Sequence, residues 1–381
     1  MKRNYILPIF LLFTLSLFAQ IEDPCGAISY SDAYLAEHSD EEEKLLELES
    51  ITQKWIQENQ NSAMEREVIT IPVVVHVVLD FSRYTLKHFE IEAQIDALTA
   101  DFRKQNSNQS IIPEEFKDRA ADVEIEFCLA SIDPTGNITD GIQERNNTEE
   151  NFGTKRINGI KRAICHFDEG GYDAWNPEHY LNIWVGEMES ILGEATFPGM
   201  ARVPEEDGIW VDVDAFGFFC SDSTDFHLGR TLTHEVGHYF NLYHIFGPGE
   251  NCISDDGIDD TPAQKSRNRG CPKDLKANEC DSLEPYEMTV NYMDFIDDSC
   301  MAMFTEGQKI RMLAALNTTR KELKNSIGCA GLRTQKTTLV EENISVFPNP
   351  ANNCVHVDLD CLLYTSPSPR DQRGSRMPSS A

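Results

Sequence analysis

His234, Glu235, His238 and His244 fall within one short stretch, His-Glu-Val-Gly-His-Tyr-Phe-Asn-Leu-Tyr-His. On a helix, residues four apart share a face, so His234 and His238 present two imidazoles side by side. Neutral imidazole is a good zinc ligand, and two on one turn make a bidentate grip. Glu235 is close enough to take a proton from a metal-bound water, whose pKa zinc lowers toward neutrality. The same carboxylate can then relay the proton to a leaving amine. This is the equipment of metal-assisted peptide hydrolysis.

A straight helix cannot bring His244 to the same metal. Six residues beyond His238, it would have risen by about 9 Å at 1.5 Å per residue. The helix must therefore stop, and Asn241 stands where the stop is needed. Asn is the best residue after glycine for a left-handed helix end. The spacing predicts a helix, an Asn stop, a return segment and a third histidine. Three protein ligands leave a fourth position open to water or substrate, whereas a structural zinc site is closed by a fourth ligand, often Cys.

Several elements must position this constellation. Val68 to Leu79 is rich in Val and Ile and predicts a buried strand. Phe89 to Asn106 predicts an amphipathic helix, with Ile91, Ile95, Leu98 and Phe102 on one side. Val123 to Ile132, Tyr180 to Glu187, Leu192 to Phe197 and Gly208 to Val213 predict further strands. Strands followed by the motif helix predict an α+β or α/β domain with a twisted sheet. Gly247 to Met288 is a long stretch rich in Asp, Gly and Pro that needs disulfides or bound metal to stay ordered. Thr305 to Ile327 predicts a C-terminal helix.

The flanks differ in character. Lys2 and Arg3 precede an apolar run from Tyr5 to Phe18, and residues 1–19 are expected to be a signal peptide. Residues 20–66 form an acidic leader with a helical run over Glu41 to Asn59, and 67–332 the main domain. Residues 333–345 are linker-like, and 346–361 look like a β-rich module cut short. The basic Ser/Pro/Arg-rich tail 362–381 resembles translated adapter sequence, which would leave the true C-terminus missing. The formal net charge of −31 over 381 residues disfavours nucleic acid and anionic membranes, and suits calcium or cationic peptides. No later stretch is apolar enough to span a membrane. Eleven cysteines fit an oxidising, extracellular compartment reached by export. Eight of them lie between Val68 and Cys329, an even number that can all pair.

The histidine motif, followed by Asn291-Tyr-Met293-Asp-Phe295, resembles the metzincin metalloproteases, in which a methionine turn lies beneath the zinc site. The long cysteine-bearing stretch between them, together with Leu181-Asn-Ile-Trp-Val, Phe197-Pro-Gly and Phe304-Thr-Glu-Gly-Gln-Lys-Ile-Arg-Met, is similar to the pappalysin branch, bacterial members included. The resemblance runs from Ile71 to Cys329. It implies a twisted mixed sheet, an active-site helix below it and an irregular lower subdomain after Gly237. It also implies an extended peptide substrate paired along Leu192–Phe197.

Two residues depart from the family pattern. Asn241 replaces a glycine. Phe295 stands where a tyrosine two residues after the methionine helps stabilise the oxyanion, and Tyr292 and Tyr243 are the hydroxyls that could replace it.

Further roles follow from the resemblance. It implies structural calcium in the Asp255–Thr261 region, with Asp256, Asp259 and Thr261 chosen as ligands, and disulfides Cys252–Cys280 and Cys271–Cys300. Asp298 would lie at the floor of the pocket for the residue after the cleaved bond and select Arg or Lys there. Cys25, in Asp-Pro-Cys-Gly, would hold the enzyme latent by occupying the open zinc position; the rival reading of the odd cysteine count is that Cys25 forms a disulfide, or that Cys354 and Cys361 have lost partners to truncation. Val346-Phe-Pro-Asn-Pro-Ala-Asn-Asn resembles a sorting domain of the type IX secretion system, implying export through the periplasm by that machinery. Two other classes stay open, a catalytically impaired metal-binding protein and a calcium-dependent adhesin on a protease fold. The intact Glu235 argues against both.

Overall fold

The computed structural model describes residues 24–37, 42–59, 67–217, 225–249, 251–253 and 255–330. The expected signal peptide, linker, sorting module and tail lie outside them. The leader contributes α1 (Ala27–Glu37), which sequence reasoning missed, and α2 (Glu42–Asn59).

The sheet is built around β1 (Ile69–Leu79), buried from Ile71 onward. Its run of β-branched residues suits a strand covered on both faces. Along one edge of β1 lie β2 (Ile125–Leu129) and then β3 (Ile142–Asn146), and along the other lies β6 (Leu181–Gly186), all parallel to it. β8 (Ile209–Asp212) continues parallel to β6, and β7 (Gly193–Ala195) closes the sheet antiparallel to β8. A small antiparallel hairpin, β4 (Arg156–Ile157) with β5 (Lys161–Arg162), stands apart. The result is an α+β fold with a mixed sheet of the metzincin kind.

Helix α3 (His88–Phe102) lays Ile91, Ile95, Leu98 and Phe102 on one face of the sheet. Helix α4 (Arg230–Tyr239) adds Leu232, Val236 and Tyr239 to the same core. A smaller cluster of Val78, Phe152, Ile164, Trp184 and Trp210 is separate from that core.

Two expected elements come out differently, and one strand was not expected. The strand expected over Val123–Ile132 begins later, because Glu124 takes a positive φ of 65°. The helix expected over Thr305–Ile327 is α5 (Glu306–Asn317), which starts at Thr305 with a capping box. It stops because the chain turns so that buried Arg320 donates to the carbonyls of Tyr239 and Thr196 and pairs with Asp207. β3 was missed because Ile-Gln-Glu-Arg-Asn carries little apolar alternation; it is a short strand beside one half of β1.

Below α4 the chain from Asn241 to Phe304 has almost no regular structure. Cys252 is bonded to Cys280 and Cys271 to Cys300, while Cys128–Cys329 ties the C-terminal end of the domain to β2. The expectation that all eight domain cysteines can pair is corrected at Cys165. It is a buried thiol whose sulfur accepts from the Trp210 indole N–H at 3.1 Å. Burial pushes its pKa well up, as an inert buried thiol requires.

Candidate active site

Helix α4 is buried along its whole length. His234 and His238 leave it on one face, and the helix ends where Asn241 adopts φ 74°. The backbone of Asn241 and Leu242 donates back to His238 and Gly237, and the chain then returns His244 to the same place. The three Nε2 atoms stand 3.0–3.1 Å from one another. His234 Nδ1 donates to the carbonyl of Tyr292 and His238 Nδ1 to that of Leu242, each at 2.7 Å. These bonds fix the tautomer and leave the Nε2 lone pairs facing inward. Burial lowers the pKa of His234 to about 4 and those of His238 and His244 well below the ordinary value, so all three are neutral.

Three neutral nitrogens aimed at one point suit a cation. Ligands about 2.0–2.1 Å from a zinc at tetrahedral angles stand about 3.3 Å apart, close to the spacing here. The donor set fits zinc. Cys25 joins it: a ligand atom from each of Cys25, His234, His238 and His244 lies within 4.8 Å of all the others, the one such group among the described residues.

Glu235 is buried beside the cluster. A Cβ on Gly193 would lie 2.7 Å from its Cγ, so the edge strand must carry glycine there to admit the carboxylate. Beneath the site, Met293 is fully buried, and a Cβ on Gly237 would meet its sulfur at 2.5 Å. Phe295 packs edge-on against His244, with ring centroids 4.6 Å apart, and the Arg267 guanidinium lies 5.2 Å from its centroid on the ring face. Neither tyrosine supplies the missing hydroxyl. Tyr292 OH is fully buried and donates to Asp101 at 2.9 Å, while Tyr243 stacks on Phe197 and lies beneath Arg311.

The leader reaches the site along the sheet edge. Gly26 N–H donates to the Gly193 carbonyl and Leu192 N–H to that of Pro24, both at 2.8 Å. The segment expected to receive substrate therefore holds the leader. Further along, Glu49 of α2 makes a bidentate pair with Arg311, whose Nε donates to the Asn241 carbonyl.

A cavity beside His234 is lined by Leu192, Phe226, Thr231, Ile296 and Asp298, among others. Asp298, one of the lining residues, is fully buried. One carboxylate oxygen accepts from the backbone N–H of Leu228 and Arg230. The other has no hydrogen-bond partner among the described residues. Burial raises the Asp298 pKa to about 6, against the lowering pull of those two N–H groups and of the Arg230 charge.

Of the residues chosen for calcium, Asp256 and Thr261 meet. Asp256 is buried and accepts from Thr261 OH at 2.7 Å, with its second oxygen unpartnered among the described residues. Asp259 is exposed. Asp260, not chosen, accepts from Thr305 OH and Gly307 N–H at the start of α5.

Sequence reasoning also missed the carbonyls of Tyr292 and Leu242, and the residues Asp101, Arg230 and Asp294. Backbone carbonyls leave no signal in residue types. Asp101 did leave one, being an acid on the apolar stripe of α3 beside Leu98 and Phe102.

The constellation is that of a metalloprotease, and the comparisons agree. The Peptidase_M43 family model, described as pregnancy-associated plasma protein-A, matches residues 168–317. An extracellular metalloprotease of Arthroderma otae is 36% identical over 255 residues, covering 66% of this chain and 79% of that protein. The chain belongs to this pappalysin-like family of metalloproteases.

Among solved structures, Tannerella forsythia promirolysin is 34% identical with a TM-score of 0.70, over 79% of this chain and 97% of that one. Mature mirolysin with a cleaved peptide is 39% identical with a TM-score of 0.63, over 68% and 96%. The match to an extracellular metalloprotease of Verticillium alfalfae, 44% identical over 142 residues, spans 35% of this chain and about half (49%) of that protein. The family implies zinc. The extracellular relatives and the disulfides point to a secreted protein. No helix among the described residues is long and apolar enough to cross a membrane.

Proposed function

We propose that this chain is a secreted zinc endopeptidase in which His234, His238 and His244 hold the metal and Glu235 is the general base. The carrying observation is the convergence of three tautomer-fixed Nε2 atoms 3.0–3.1 Å apart with a buried carboxylate alongside. Zinc, when bound, polarises the scissile carbonyl and makes water acidic enough to yield its proton near neutral pH. Glu235 takes that proton and delivers it to the leaving nitrogen. Met293 and Gly237 keep the floor dry and packed. Substrate lies along β7, where Gly193 and Leu192 offer the backbone groups that the leader engages here. Asp298 selects Arg or Lys after the cleaved bond through a charge-assisted pair with its second oxygen. With Phe295 where a hydroxyl would stand, oxyanion stabilisation rests on fewer donors, which slows turnover without removing metal or base.

Three further readings complete the proposal. Cys25 ligates the zinc in the zymogen and blocks the position that water needs. A calcium ion neutralises the carboxylates of the Asp255–Thr261 loop through Asp256 and Thr261, with Asp259 the least supported of the chosen ligands. Export runs through the periplasm by the type IX machinery, a reading that rests on residues 1–19 and 346–361 alone.

The central test uses the leader-free enzyme on a peptide library. Glu235→Ala should keep zinc and lose at least about 100-fold in kcat/KM, whereas His238→Ala should lose zinc and activity together. Near-normal turnover in the glutamate variant sinks the general-base role. A zinc-loaded wild type without any peptidase activity favours the non-catalytic reading.

A further inference from the structure

Asp101 lies outside the histidine motif and the methionine turn, yet its fully buried carboxylate joins helix α4, which carries the motif, to Tyr292 of the turn. One oxygen pairs with Arg230 Nη1 at 3.1 Å and accepts from Thr233 OH at 2.7 Å. The other accepts from Tyr292 OH at 2.9 Å. Arg230 is the first residue of α4, and its backbone N–H helps hold Asp298. Its side chain is also buried, donating to the Leu228 carbonyl at 3.0 Å. Its Nε finds no partner among the described residues. The Arg230 charge therefore faces two buried carboxylates, Asp101 and Asp298.

One guanidinium cannot serve both acids equally. It is engaged by Asp101, and this leaves Asp298, which lines the cavity, with an oxygen that no described residue engages. We infer that Asp101 is a specificity-positioning residue: by holding the Arg230 guanidinium on the α3 side, it keeps Asp298 available to a cationic substrate side chain. If Asp101 loses its charge, Arg230 becomes an uncompensated buried cation, and Asp298 is the acid at hand to neutralise it. A buried guanidinium is strongly driven to pair, since an uncompensated buried charge is costly. The pocket would then present an internal ion pair and would no longer favour Arg or Lys over an apolar residue.

This inference rests on the proposed basic preference, and the test separates the two. Paired peptides differing only in Arg or Leu after the scissile bond are cleaved by leader-free wild type, Asp101→Asn and Asp101→Asn/Arg230→Met. Zinc content and melting temperature are checked in each. The wild type should prefer the Arg peptide. Asp101→Asn should lower the Arg-over-Leu ratio of kcat/KM by about tenfold or more, chiefly through KM for the Arg peptide, with the Leu peptide nearly unaffected. The double variant has neither buried charge and should regain the preference. A wild type with no preference overturns the pocket reading and this inference together. An unchanged ratio in Asp101→Asn, or an equal fall for both peptides, overturns the inference alone. Should the single variant not fold, loss of preference in the folded double variant overturns it equally.

Discussion

The sheet and the chain beneath it solve the same problem by different physics. Above α4, β1 and β6 are buried by Val, Ile, Leu and Trp, and their backbone groups pair in ladders. From Asn241 to Phe304 there is almost no ladder. Buried carboxylates take its place. Asp294 accepts from the backbone N–H of Asn268 and Phe295 and from the side-chain amides of Asn268 and Gln264. Asn268 also donates to Glu287, which pairs with Lys276. Asp260 holds the start of α5. Apolar burial is undirected and tolerant of small errors, whereas these acids satisfy particular donors and fix particular turns. The lower half needs that precision because Met293, Phe295 and the Tyr292 carbonyl must meet the histidines from below.

The leader touches both halves, and this provides the largest expected effect. With leader cleavage blocked, the chain from Gln20 should be silent, and Cys25→Ser should release activity by about two orders of magnitude or more, since thiolate is a much stronger zinc ligand than hydroxyl. Glu49→Ala, which cuts the leader from Arg311 of α5, the residue that donates to Asn241 at the start of the lower half, should release far less, because that pair is partly exposed and screened. Equal latency in wild type and Cys25→Ser, followed over time on a fluorogenic peptide, would mean that steric cover along β7 is sufficient.

The two halves should also answer differently to single deletions. Asp294→Ala strands several buried donors, with an expected loss of about 3 kcal/mol and a fall in kcat even where the protein remains folded. Ile183→Ala at the centre of the sheet should cost about 2–5 kcal/mol and leave kcat near wild type at low temperature. Urea melts read beside kcat decide this. A dead but folded Ile183→Ala would erase the distinction.

The last effect concerns pH. Burial raises Asp256 from an ordinary carboxylate value to about 8, so the folded state holds its proton where the unfolded chain has released it. That contribution is fully present below about pH 4 and is lost as pH rises toward 8. In a chelator, the melting temperature should drift down across that window. Asp256→Asn should flatten the drift, and calcium should remove it by paying for the charge directly. A melting profile indifferent to calcium at pH 8 argues against a cation there.

Much of the site could be seen in the residues, because its chemistry demands rare types at fixed spacing. Two histidines four apart, an Asn at the helix end and a third histidine describe the metal face almost completely, since 3.6 residues per turn and a left-handed stop leave few other geometries. The long apolar run of β1 likewise marked a central strand. The polar strand β3, the helix α1 and the early end of α5 could not be seen, because each depends on what packs beside it.

The sequence by itself marked the three histidines and the glutamate as one constellation, and the central strand and the motif helix around it, all of which are local in the chain. Only the tertiary structure decided that Tyr292 donates its hydroxyl to Asp101, that Asp298 accepts from Leu228 and Arg230 with one oxygen and from no described residue with the other, and that Gly193 must be bare to admit Glu235. Those outcomes are set by partners 42 to 191 residues away. Which buried acid claims which donor is settled by proximity after folding, and residue type alone does not record it.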